Sequence, residues 1–220
     1  MSTATQLSSV STSQSSTNVA KLSWVTWILL GGLVLLAVFT RVYDLGAESF
    51  WRDEVTMVNL TTGDYDVFLQ DIMGGRPPVY TAVSVVWAQL FGTGEAAVRS
   101  LSALSSLLAV AVMYLVARDL FNERVAFIST LLMIVSGYHI HYAQDHRYYA
   151  MLMFVALASF YFLIRFVRYG KTVDMVGYII ASILVFYTHT NGMFVIFGQG
   201  VFYLLQIRKY RPVLWRWLIS

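Results

Sequence analysis

Long uncharged apolar runs constrain this chain more than any other feature. Leu22 to Thr40 contains no charged side chain and is about long enough to cross roughly 30 Å of hydrocarbon as a helix. Further apolar segments follow at about 100–117, 125–140, 148–164, 175–188 and 193–207. A backbone crossing lipid must satisfy its own hydrogen bonds, which a helix does within one segment. The runs therefore predict an all-α, polytopic transmembrane bundle. Composition agrees: 58% of residues are hydrophobic and 12% charged, with mean hydropathy +0.64, whereas soluble domains carry about a quarter charged residues.

Sidedness turns on Val79–Phe91, an apolar stretch of 13 residues, shorter than the roughly 17-residue floor for a span. If it does not cross, the loops holding Arg118/Arg124, Arg165/Arg168/Lys171 and Arg208/Lys209/Arg211/Arg216 share one side with Lys21. The other side then holds most acids, all four histidines and five arginines. If it does cross, this bias blurs. Basic loops mark the cytoplasmic side, so the expected arrangement has about six spans and both termini cytoplasmic. Val79–Phe91 becomes a membrane-surface helix in the first outer loop, 41–99, with Pro77-Pro78 suited to opening it.

Residues 1–21 are rich in Ser, Thr and Gln and are expected to be a disordered cytoplasmic tail. Residues 208–220 read as a basic cytoplasmic end. The net charge of +3 and pI near 9.1 are explained by span flanks, so no nucleic-acid partner is expected. With no cysteine, disulfides and thiolate metal sites are excluded. Gly31-Gly32 inside the first run predicts close helix packing. There is no Walker-type phosphate loop, no GxGxxG and no HExxH, which disfavours a nucleotide-hydrolysing transporter.

This topology gathers separated polar pieces on the outer face. They are Asp53-Glu54; Arg76-Pro-Pro-Val-Tyr80 with Glu95 and Arg99; the stretch from His139 to Tyr149; and Tyr187-Thr-His189-Thr-Asn191. Carboxylates can deprotonate a hydroxyl or hold a divalent cation, and arginines fork onto phosphate oxygens. Such a set suits phosphate-leaving-group chemistry at a membrane surface. Plainer roles stand beside this one: Asp53-Glu54 as an interfacial ion pair with Arg52 or Arg99, and Arg147 as an interfacial anchor. His139, His141 and His146 lack metal-motif spacing, since i and i+2 do not share a helix face. Met151 and Met153 read as packing residues, and Arg165 and Arg168 as topology determinants.

The pieces, in order, are Phe50-Trp-Arg-Asp53-Glu54, Arg76-Pro-Pro-Val-Tyr80, Gly94-Glu95-Ala-Ala-Val-Arg99-Ser, His141-Tyr-Ala-Gln144-Asp145-His-Arg147-Tyr148-Tyr-Ala-Met and Tyr187-Thr-His189. Over roughly residues 24–207 this order resembles glycosyltransferase family 39 of the GT-C class, whose members include protein O-mannosyltransferases and the aminoarabinose transferases that modify lipid A. The resemblance implies transfer of a sugar from a polyprenyl-phosphate carrier to a lipid, glycan or protein acceptor on the outer face of the cell membrane. It implies Asp53 as catalytic base with Glu54 in support. Arg99 and Arg147 would meet the carrier phosphate or its acidic neighbours. Asp145 stands where the family has a second acid, and His189 matches a Thr-His element; Arg76, Tyr80, Glu95 and Tyr148 complete the expected donor site. Relatives often have His-Pro-Pro where this chain has Arg76-Pro77-Pro78. They also run to several hundred residues with eleven or more spans, so residues 22–207 are expected to be the N-terminal half of such a catalytic unit, with the 208–220 end truncated.

The expected chemistry is an inverting-type transfer in which Asp53 takes the acceptor proton and polyprenyl phosphate departs. A divalent cation held by Glu54, Asp145 or His141 is compatible with these residues but not required by them. Two readings from other classes remain: a carrier or flippase component for a lipid-linked or anionic substrate, and a non-catalytic truncated copy acting as a scaffold. Carriers place ionisable groups near the bilayer midplane, and here the runs are almost charge-free.

Overall fold

The computed structural model describes residues 24–63 and 65–210. The tail expected over 1–21 and the last part of the basic end, 211–220, lie outside the described residues. All regular structure among the described residues is helical. The helices are α1 (Trp24–Val42), α2 (Arg52–Thr62), α3 (Tyr65–Met73), α4 (Val79–Phe91), α5 (Glu95–Leu120), α6 (Glu123–Val135), α7 (Gly137–Ala143), α8 (Tyr149–Tyr169), α9 (Thr172–Thr188) and α10 (Gly192–Tyr210).

Three of these, α1, α5 and α8, are long and apolar enough to cross a membrane. A fourth candidate is broken: α6 and α7 pass the same test together but are bent by 63°. The shorter apolar helices are α4, α9 and the Gly192–Leu205 part of α10. α5 and α8 form the centre. α1 and α6 pack on one side of them through Ala37, Ala109, Val110, Met133 and Ile134. On the other side α9 and α10 join α8 around Leu163, Val167, Tyr178 and Tyr203. A third apolar cluster (Met57, Leu60, Tyr80, Leu101, Met151, Val155 and Val185) ties α2 and α4 to the heads of α5 and α8 and the end of α9. The ionic contacts Arg165–Asp174 at 2.9 Å and Arg165–Asp119 at 3.8 Å lie at the far end of the same helices.

Three sequence expectations are corrected here. Within the first outer loop, 41–99, where the sequence reading places a helix only over Val79–Phe91, the structure has two more, α2 and α3. α2 buries Glu54, Met57, Leu60 and Thr61 on one face, a helical period carried by a mostly polar segment. Its first-turn acids, Asp53 and Glu54, also complement the positive end of the helix dipole. The run at 125–140 is not one straight span. Extended backbone at Ser136 (ψ 114°) breaks it, and the Ser136 hydroxyl accepts from the His139 N–H to start α7. The carbonyls freed at the end of α6 are taken by Arg41 at the end of α1, whose Nη1 donates to Ile134 O at 2.8 Å and Nη2 to Met133 O at 3.2 Å. Finally, Gly31 and Gly32 pack against none of the described residues: a Cβ at either would have nothing within 4 Å.

Gly192 does permit a close approach. A Cβ on Gly192, at the start of α10, would run into the Val185 carbonyl oxygen and lie 2.8 Å from Val185 Cγ1. Gly192→Ala should therefore destabilise the fold by about 1–3 kcal/mol. Thermal unfolding in detergent measures this, and an unchanged midpoint would contradict the tight α9–α10 turn.

Candidate active site

Residues from the separated polar pieces come together around the start of α2, in two layers. The lower layer is buried. The Arg99 guanidinium forks onto Glu54, with Nε donating to Oε1 at 2.8 Å and Nη2 to Oε2 at 2.7 Å. The side-chain exposures are 6% and 0%. The remaining Arg99 donors hold the chain before α2, reaching the carbonyls of Leu45 (3.2 Å), Glu48 (2.8 Å) and Ser49 (3.4 Å). Glu54 Oε1 also accepts the His146 backbone N–H at 2.8 Å, and Oε2 accepts the Trp51 N–H at 3.4 Å. Burial pushes the Glu54 carboxyl up, but Arg99 and the two N–H donors outweigh it and hold the group below its ordinary value.

Asp145 lies beside this pair. Its Oδ1 accepts the Trp51 indole N–H at 3.0 Å, while Oδ2 has no hydrogen-bond partner among the described residues. Burial raises its pKa, against the lowering effect of Trp51. Next to it the buried His146 ring meets the Tyr80 hydroxyl through Nδ1 at 3.0 Å, and that hydroxyl also contacts Ser102 Oγ at 3.1 Å. Burial is the main force lowering His146, from the ordinary 6.5 to about 4.

The consequence for pH follows from that depressed value. Between pH 6.5 and about 4 the unfolded chain binds a proton at His146 that the folded chain does not. Its contribution is full above 6.5 and is lost as pH falls towards 4, by up to about 3 kcal/mol. Asp145 has the opposite sign, because a raised carboxyl loses stability as pH climbs above its ordinary value. His146→Gln should flatten the dependence of the unfolding temperature between pH 6.5 and 4. A slope as steep as that of the parent chain would exclude His146 as its source.

The upper layer opens into a cavity of about 600 Å³. Arg52, Asp53 and Thr56 from the first turns of α2 form one wall, and Gly75, Arg76 and Pro77 a second. Tyr80 and Thr81 from α4, Arg147 and Tyr148 before α8, and Thr188, His189 and Thr190 after α9 complete it. Asp53 is half exposed, at 47%, with Oδ2 3.6 Å from Arg147 Nη2. Arg147 also donates from Nη1 to the Asp53 carbonyl at 3.3 Å. Its guanidinium sits 5.0 Å over the Tyr148 ring, a cation–π contact. Tyr148 in turn stacks on His189 with centroids 4.3 Å apart. Burial and then Arg147 lower the His189 pKa, so this imidazole is biased to the neutral form.

The predicted site residues thus divide. Asp53, Arg76, Tyr80, Arg147, Tyr148 and His189 line the cavity. Glu54, Arg99 and Asp145 lie beneath it, and Arg99, with all its described donors on Glu54 and on carbonyls, is not turned towards it. Glu95 stays in the first turn of α5 and His141 on α7, and neither lines the cavity. The Glu54, Asp145 and His141 set does not assemble: among the described residues no three His, Asp or Glu side chains come together so as to hold a metal ion. Sequence reasoning left Arg52, Thr56, Thr188 and Thr190 out of the site. The helical register of α2 could have found the first two, since positions 52, 53 and 56 share a face.

The model of the family described as dolichyl-phosphate-mannose-protein mannosyltransferase matches residues 75–219, well over half of the chain. No curated protein and no solved structure matches it.

Proposed function

Since the chain belongs to the dolichyl-phosphate-mannose-protein mannosyltransferase family, a family of membrane glycosyltransferases, we propose that its cavity transfers a sugar from a polyprenyl-phosphate donor to an acceptor on the outer face of the membrane. One observation carries the reading. Of two adjacent carboxylates, Glu54 is buried on Arg99 and Asp53 faces a cavity whose walls include Arg52, Arg76 and Arg147.

In the proposed reaction the acceptor hydroxyl loses its proton to an Asp53 oxygen as its own oxygen bonds to the anomeric carbon. The bond from that carbon to the phosphate oxygen breaks, and the electron pair leaves with the polyprenyl phosphate. The donor is already activated, so no acid need protonate the leaving group, unlike glycoside hydrolysis. Arg147, Arg52 and Arg76 offset the charge that develops on the departing phosphate. Glu54 and Arg99 fix the entry of α2, and with it the position of Asp53. Asp145 supports the same entry through Trp51.

The proposed topology follows the charge bias: about six spans, cytoplasmic ends, and α4 lying at the outer surface with the rest of 41–99. Residues 22–207 then form the transmembrane catalytic half, with the tail before it and the basic end after it in the cytoplasm. In proteoliposomes supplied with a polyprenyl-phosphate mannose donor and a hydroxyl acceptor, the chain should bind donor and transfer the sugar. If it neither binds nor transfers, the reading fails.

A further inference from the structure

We propose that His189 is a sugar-binding residue, whose Nε2–H donates a hydrogen bond to a hydroxyl oxygen of the sugar being transferred. The proposal rests on the reading of the arginine-walled cavity as a donor site and divides it into a phosphate side and a sugar side.

One contact fixes where this ring carries its proton. The backbone N–H of Asn191 donates to His189 Nδ1 at 3.0 Å. A backbone amide can only donate, so Nδ1 is the bare, accepting nitrogen and the proton of the neutral ring lies on Nε2. The same contact opposes protonation of Nδ1, and burial and Arg147 act in the same direction by lowering the pKa. His189 is thus a neutral donor, with no free lone pair to act as a second base beside Asp53. Its Nε2 makes no hydrogen bond among the described residues and, unlike the Nε2 atoms of His139 and His146, is not sealed from solvent. The residue lines the cavity, so this N–H is available to a molecule held there.

The ring is also held in place before any ligand arrives. It stacks on Tyr148 at 4.3 Å with 31° between the planes, and the Tyr149 centroid is 6.3 Å away. Its backbone is pinned at both ends: the N–H donates to Val185 O at 3.4 Å, and the carbonyl accepts the Gly192 N–H at 2.8 Å. A donor fixed in this way loses little freedom on binding.

Charge decides which part of the ligand it meets. Arg52, Arg76 and Arg147 stand on the walls of the same cavity, and they hold anionic oxygens more strongly than a neutral N–H does. The Tyr148 ring touches both Arg147 and His189, which sets the neutral donor next to the cationic group without adding to its charge. A sugar joined to a phosphate presents anionic and neutral oxygens side by side, and this pairing of cations with a neutral N–H matches both. Other neutral donors on the walls are spent inside the protein. The Thr56 and Thr188 hydroxyls bond to the carbonyls of Arg52 at 3.2 Å and Leu184 at 2.6 Å. The Tyr148 hydroxyl is directed to Tyr149 Oη at 3.4 Å. His189 Nε2–H is not spent in this way.

Binding to the full chain in lipid nanodiscs tests the proposal with two probes, polyprenyl-phosphate mannose and the same polyprenyl phosphate without sugar. His189→Phe keeps a ring to stack on Tyr148 but has no N–H. It should weaken binding of the mannose lipid about tenfold, the scale of one hydrogen bond, and leave binding of the bare phosphate lipid unchanged. His189→Gln, whose amide N–H can reach the place of Nε2, should recover most of the loss. Among deoxymannose lipids, the one lacking the bonded hydroxyl should bind the parent chain and His189→Phe equally. Equal losses on both probes would move the contact to the phosphate, and undiminished binding of the mannose lipid by His189→Phe would remove it. Either result overturns the proposal and leaves the reading of the cavity standing. A parent chain that binds neither lipid would sink that reading and the proposal with it. Nitrogen NMR of the histidine-labelled chain at neutral pH gives a test that needs no folded His189→Phe. It should show His189, assigned by its absence from the His189→Gln spectrum, as the neutral Nε2–H tautomer; the Nδ1–H form would overturn the proposal.

Discussion

Replacing Asp53 with asparagine should lower sugar transfer by about 10²–10⁴-fold, the range lost when a positioned general base is removed. Asn keeps the size and a hydrogen-bonding oxygen but cannot take up the acceptor proton. The fold should be indifferent to the change. Asp53 is half exposed and its one charged contact among the described residues, Arg147, is at 3.6 Å, a pairing that contributes little in solvent. Donor affinity should hold or rise slightly, because a negative charge has left a cavity proposed to bind phosphate. The measurement is turnover against donor concentration, with unfolding temperature as control. Full transfer by Asp53→Asn would remove Asp53 from the role of base. Loss of folding instead would make it structural.

The neighbouring pair should behave in the opposite way. Arg99→Ala leaves Glu54 buried with no cation and releases the carbonyls of Leu45, Glu48 and Ser49. Breaking one partner of a buried pair is expected to destabilise by about 3–5 kcal/mol, a large fraction of a typical total stability of about 5–15 kcal/mol. Lys should not rescue it, since an ammonium cannot span both Glu54 oxygens and the loop carbonyls together. Glu54→Ala together with Arg99→Met should recover much of the loss, because two apolar groups leave no buried charge behind. Chemical unfolding in detergent reads all three. A double variant no more stable than Arg99→Ala would show that the carbonyl contacts, rather than the ion pair, dominate.

These two predictions mark where sequence reading succeeded and where it stopped. The limits of α4 were legible because Pro77-Pro78 precedes its first residue and Gly92 follows its last. The runs that form α1, α5 and α8 were legible because lipid demands length and apolarity, both written locally. α2 was missed although its buried positions Glu54, Met57, Leu60 and Thr61 keep helical spacing. Half of that face is polar, and hydropathy alone does not mark it. The α6–α7 break was hidden for a related reason. The run is uncharged and mostly apolar, and what stabilises the break is Arg41 on a different helix, 92 and 93 positions away.

The sequence by itself determined that this chain is a membrane helical bundle and which polar pieces meet at one end of it. Apolar length and charge asymmetry are summed along the chain and need no partner. Only the tertiary structure decided how those polar residues are divided. Asp53 and Glu54 are adjacent and chemically alike, as are Arg99 and Arg147. Successive helical residues point about 100° apart, so α2 turns Glu54 down onto Arg99 and leaves Asp53 at the cavity. Arg99 sits inside a helix packed against the chain before α2, whereas Arg147 sits in a turn at the cavity rim. Burial is a property of what surrounds a side chain, and for these four residues the surroundings come from elsewhere in the fold.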